Sequence, residues 1–196
     1  MSQPVPSETR VALMQCAESL LRSRGYCAFS YADLAETVGI RKASVHYHFR
    51  TKEELGLAVA QAYVRRSAQA CADIRREQPS VRARVQAFVE LFMDGVGADQ
   101  LPLCGALAAE MAALPSSLQE LTRDYFRTRL DWLQAVLAEG VATGELPAGM
   151  DAQGCAHQIL SLLEGAAFIN WALGEHRHVE MDAIFGLLGL GASASP

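Results

Sequence analysis

SYADLAETVGIRKASVHYHFRTKEEL, residues 30–55, decides the fold. Ser30 followed by Asp33 is a helix-opening pair, and Leu34, Ala35 and Val38 then fall on one face. Gly39 stops this helix after about two turns. A second short helix is expected from about Lys42 to Phe49, and Thr51 with Glu54 opens the next as a T-x-x-E box. Helix, tight turn, helix is the outline of a DNA-reading helix-turn-helix, but also of an ordinary helical hairpin. Charge separates the two, because the second helix is the basic one and the first is not.

That basic helix stands out against an acidic chain. The net charge over 196 residues is −5, yet residues 41–52 carry Arg41, Lys42, Arg50 and Lys52 and no acid, and these are the chain's only lysines. Residues 1–55 are close to neutral and the remainder is acidic. Cations focused on one short helix suit a local anionic partner, with Lys42 and Lys52 placed to neutralise phosphates on either side of a groove.

Working outward, Val11, Met14, Ala17, Leu20 and Leu21 mark a first helix from Ser7, its cap, to about Arg24, with Gly25 ending it. A fourth helix runs from Thr51 to about Glu77, roughly 37 Å at 1.5 Å per residue. Further helices are expected at Val81 to about Val96, Leu103 to about Leu114, Pro115 to about Thr143, Asp151 to about Leu173, and Val179 to Leu190. No strand-like alternation occurs. The fold class expected is all-α, with a helix-turn-helix domain at residues 1–55 and a larger helical domain at 56–196.

Composition narrows the function. Half the chain is hydrophobic, enough for a core, but no apolar run reaches the roughly 18–20 residues of a membrane span. The N-terminus has no signal-peptide pattern. Five scattered cysteines with no CxxC pair argue against disulfides and zinc and for a reducing cytoplasm. No glycine-rich phosphate loop, HExxH or nucleophile elbow is present, so neither an enzyme nor a cofactor is expected.

Leu34, Ala35, Gly39, Ile40, Ser44, Val45, Tyr47, His48, Phe49, Lys52, Glu53 and Leu55 together resemble the DNA-binding domain of the tetracycline-repressor (TetR) family. The likeness covers about residues 10–55, and it implies site roles. Lys42, Ser44, Tyr47 and Lys52 would contact the DNA backbone, while Arg41 and His46 would read base edges. His48 stays open between a phosphate contact and a packing residue, and Phe49 would be core. Arg41 departs from the pattern, since the family often has a capping Ser there. An arginine cannot cap in that way, so a DNA contact by Arg41 is the expected compensation.

The resemblance also implies a homodimer on a two-fold symmetric operator, paired through the last two long helices. Leu133, Leu137, Ile159, Leu163 and Phe168 are the residues expected at that interface. It further implies a ligand site among the middle helices, for which Phe92, Met111, Tyr125 and Trp132 are candidates, each equally at home in a core. LPLCGALAAEMAALP, residues 101–115, resembles the matching helix of the N-ethylmaleimide-responsive repressor type, in which a cysteine senses electrophiles. Cys104 would sit near a helix N-terminus that favours its thiolate. The alternative is a small buried apolar residue. The function expected is thus a transcriptional regulator, a repressor released by a small-molecule or electrophile inducer. The rival is a helical adaptor protein with a basic anion-binding patch.

Overall fold

A computed structural model describes residues 7–97 and 99–189. Among these the chain forms nine α-helices: α1 (Glu8–Arg24), α2 (Tyr31–Val38), α3 (Lys42–His48), α4 (Lys52–Glu77), α5 (Val81–Asp94), α6 (Leu103–Ala109), α7 (Ser116–Thr143), α8 (Ala152–Leu173) and α9 (Met181–Leu187). A single 3-10 turn, Met111–Ala113, follows α6. The all-α expectation holds, and the described residues include only one isolated β-bridge, Gly97 to Gln100.

The helix starts follow local chemistry. Ser7 accepts from the Arg10 amide, and Ser30 and Asp33 form a reciprocal capping box. Asp151 likewise accepts from the Gly154 amide. At the fourth helix the box is displaced by one residue: Thr51 accepts from Glu54, but the Glu54 carboxylate reaches the Arg50 amide. Gly39 adopts the left-handed conformation at φ 74°, which a side chain would strain, and so ends α2 where the turn is needed.

Three boundaries differ from expectation. α5 stops at Asp94 rather than Val96. The segment expected as one helix to Leu114 breaks at Glu110, where the backbone leaves helical geometry (φ −106°, ψ 19°) and tightens into the 3-10 turn. α9 is shorter than Val179–Leu190, and Leu190 lies outside the described residues.

Packing gathers the chain into two units. The first holds the described residues up to Arg65 together with Leu103–Arg123, so it extends past residue 55 and takes in a distant segment. Its core joins Leu13, Leu21, Leu34, Val45, Phe49, Leu55 and Val59 to Leu103, Leu107 and Leu118. α1 packs on α2 and on α6, and α2 packs on α3. Burying each such side chain contributes about 1.5–3 kcal/mol.

The second unit is Arg66–Pro102 and the described residues from Asp124 onward. Val85, Phe88, Val89 and Met93 of α5 meet Leu133, Val136 and Leu137 of α7 and Ile159, Leu160 and Leu163 of α8. Glu139 joins Arg84 and Arg75 at 2.8 and 2.9 Å, an ion-pair bridge between three helices. The Arg84 hydrogen bond, then the two guanidinium charges, hold the Glu139 carboxyl below its ordinary range.

Candidate nucleic-acid interface

The short helix α3 is held from behind. Val45 and Phe49 have no accessible surface, so its inner face is locked into the first core. At its C-terminus the last carbonyls lack helical partners, and two side chains supply them. The Arg10 guanidinium donates to the His48 carbonyl at 2.8 Å and lies 4.0 Å above the Phe49 ring. The Tyr31 hydroxyl donates to the Phe49 carbonyl at 3.0 Å. Burial pushes the Tyr31 phenol up to about 12, so it stays a donor throughout the physiological range.

The outer face carries the expected readers. Arg41, Lys42 and His46 are exposed, and Ser44 is half-buried. Tyr47 is 85% exposed, a large aromatic side chain standing in solvent. His46 leans on the Tyr31 ring at 4.8 Å, and His48 is half-buried against Tyr47 at 5.1 Å. Arg41 stands exposed at the N-cap with no side-chain capping bond.

Lys52 is engaged within its own unit. Its ammonium turns inward, donating to the Phe29 carbonyl at 2.5 Å and to Cys27 at 3.4 Å, over the rings of Phe29 and Tyr26. Burial draws its pKa below the ordinary lysine value. An ammonium with three donors and two carbonyl acceptors fastens the α1–α2 loop and keeps one donor over. The same loop is also held by Glu110, whose carboxylate accepts from the Cys27 amide at 3.1 Å. Gly25 (φ 85°) lies so close that a Cβ there would meet the Glu110 carboxylate at 2.7 Å.

Three residues thus escaped the sequence reading: Arg10, Tyr31 and Glu110. Arg10 leaves a faint signal, because a cation in the first turn of a helix opposes the helix dipole and calls for a reason.

The expected regulatory residues fall in both units. Cys104 and Met111 belong to the first unit, whereas Phe92, Tyr125 and Trp132 belong to the second. Cys104 has no accessible surface, so of the two readings offered for it the buried apolar one describes this structure. The dimer residues need correction. Leu133, Leu137, Ile159 and Leu163 have no accessible surface within one chain and are core of the second unit. A side chain with nothing exposed cannot touch a second copy. Phe168 is half-buried. The apolar residues α8 does expose are Leu162, Ile169, Trp171 and Leu173.

A clamped basic helix presented by a three-helix core defines a helix-turn-helix DNA-binding protein, and comparison with known proteins gives the family. Residues 13–59 match the family model for bacterial regulatory proteins of the tetR family, and residues 81–182 match the tetracyclin repressor-like C-terminal domain. The chain belongs to the TetR family of transcriptional regulators. It is similar to a TetR-family regulator of Agrobacterium tumefaciens of known structure, with 29% identity and a TM-score of 0.82 over 94% of this chain and 95% of that one. The transcriptional regulator CymR of Pseudomonas putida is 26% identical over 139 residues, covering 69% of this chain and 68% of CymR. The reduced form of Escherichia coli NemR has the same fold, with a TM-score of 0.75 and 20% identity over 93% of this chain and 94% of NemR. These relatives are regulators of transcription, not enzymes. No described helix is long and apolar enough to cross a membrane.

Proposed function

We propose that this regulator is a homodimeric repressor acting in the cytoplasm, with residues 1–55 reading a two-fold symmetric operator and residues 56–196 dimerising and taking up an inducer. The observation that carries the DNA-reading part is the exposure of Tyr47, Lys42 and Arg41 along a helix whose inner face is locked. A solvated phenol and two cations on one rigid helix suit phosphate oxygens and guanine edges. Arg41, Lys42, Ser44, His46 and Tyr47 are the contact residues we assign. Lys52 acts through the loop it fastens.

Dimerisation is assigned to the outer stripe of α8, where Leu162, Ile169 and Leu173 recur at helical spacing. Gly165 lies within that stripe and has open space around it, which lets another backbone approach. Because Cys104 has no accessible surface, the inducer we assign is a small molecule bound without a covalent bond to that cysteine.

The test is specific binding of the full chain to duplex DNA from upstream of its own gene, followed by selection from random duplexes. Saturable binding to a palindromic site, at two chains per site and with a steep salt dependence, is the expected result. Binding with no sequence preference after selection would overturn the reading and favour the adaptor.

A further inference from the structure

The second unit buries a cation with no counter-ion. Arg129 on α7 is 6% exposed, and among the described residues its guanidinium pairs with no carboxylate. Among the described residues its one hydrogen bond is to the Cys71 sulfur on α4. Burial pushes the Cys71 thiol up, outweighing the opposing pull of Arg129, so the sulfur does not supply a negative charge at neutral pH. Glu164 on α8 is the buried carboxyl of this unit, and burial alone shifts it, with no contribution from Arg129.

Two aromatic rings flank the Arg129 guanidinium. Cζ lies 5.1 Å from the Tyr125 ring and 5.9 Å from the Phe88 ring. Phe88 stacks on Trp132 at 5.2 Å and 23°. Trp132 stands three residues beyond Arg129, on the same face of α7. Its indole N–H is buried and has no hydrogen-bond partner among the described residues. A buried guanidinium whose one acceptor is a thiol sulfur and an unpaired indole N–H thus both border the Phe88 ring, and among the described residues no carboxylate reaches either.

We infer that Arg129 and Trp132 form the anion-recognising pole of the inducer site, and that the inducer is an organic carboxylate with an aromatic or otherwise apolar body. A carboxylate accepts two parallel bonds from a guanidinium fork, leaving a lone pair for the indole N–H. The Phe88–Trp132 stack supplies a flat apolar wall for the rest of the molecule. This rests on the reading of residues 56–196 as the inducer-binding part.

The experiment uses the full chain with four acids, benzoate, phenylacetate, cinnamate and octanoate, each against its primary amide. Thermal melting and release of the selected operator duplex are read on the same preparation. At least one acid raises Tm saturably and releases DNA, and its amide does neither. Arg129→Met abolishes the acid's effect, and Trp132→Phe, which keeps the stack and removes only the N–H, weakens it roughly 10-fold or more. Circular dichroism checks that both variants are folded, and should Arg129→Met fail to fold, Trp132→Phe alone decides. The proposal is overturned if no acid acts, if acid and amide act alike, or if Trp132→Phe leaves the acid's affinity unchanged. It is equally overturned if Cys71 titrates as a thiolate at neutral pH, which would make it the counter-ion. A preparation that binds no specific duplex overturns the repressor reading instead, and the melting data still judge the anion site.

Discussion

The guanidinium of Arg10, in the first turn of α1, caps the carbonyl end of the DNA-reading helix at His48, 38 residues away, with a 2.8 Å bond. Its stacking on Phe49 fixes the same helix end sideways. Arg10→Met keeps the aliphatic stem and removes both interactions. The expected loss is about 1–3 kcal/mol, measured by urea unfolding. DNA affinity should fall further than the lost stability explains, because a loosened α3 must be ordered again on binding. An Arg10→Met protein with unchanged affinity would show that the DNA itself orders the helix.

Tyr47 separates binding from folding. With 85% of its surface in solvent, Tyr47→Ala should change stability by less than about 0.5 kcal/mol. Operator affinity should drop roughly 10-fold or more. Lys42→Ala should weaken all sequences alike and reduce the slope of log affinity against log salt by about one. Titrations at several salt concentrations distinguish these outcomes.

Lys52 should behave in the opposite way. Lys52→Met removes the ammonium from the carbonyls of Phe29 and Cys27, leaving two acceptors short of a donor. The first unit should lose about 1–3 kcal/mol, while the salt slope of DNA binding stays as in the parent. A reduced slope would restore the phosphate contact expected from sequence.

Glu164 sets a pH dependence. Burial pushes its carboxyl up from 4.5 to about 7, and neither oxygen has a hydrogen-bond partner among the described residues. The folded chain therefore holds this proton between pH 4.5 and 7 when the unfolded chain has released it. The stabilising contribution is fully present below pH 4.5 and is lost as pH rises through 7. Glu164→Gln, which cannot ionise, should leave stability nearly unchanged at pH 5 and raise it at pH 8, by about 2–3 kcal/mol. Unfolding curves at the two pH values test the sign.

The outer face of α8 is tested by Ile169→Glu, at a residue 60% exposed in the single chain. A charge there should leave the monomer folded and shift the sedimenting species from dimer to monomer. Operator binding should weaken with it. The same change at Ile159, which has no accessible surface, should unfold the second unit instead.

Local signals were the legible ones. Ser30, Asp33 and Gly39 announce a capped helix and its stop in three letters, and the structure forms both as read. The basic second helix was equally plain, since Arg41, Lys42 and Tyr47 needed only an outward direction. What escaped were relations between distant segments. Periodicity says that Leu133 and Ile159 are buried, but not whether in their own chain or against a copy, because both burials use the same apolar stripe. Lys52 reads as a surface cation until the α1–α2 loop brings two carbonyls to it. Cys104 reads as a helix-start thiol, and only the three-dimensional packing removes its access to solvent. Glu110 and Cys27 are 83 positions apart, and nothing in either neighbourhood points to the other.

That last bond bears on how portable the DNA-reading part is. Glu110, Leu103, Leu107 and Leu118 complete the core and the loop of a unit that otherwise ends near Arg65. A truncated head would expose the apolar side chains these residues cover, and a chimera joined at residue 55 would inherit a cradle shaped for a different head. Grafting this operator specificity onto another regulator therefore requires transplanting residues 103–123 together with residues 1–65, as one discontinuous cassette.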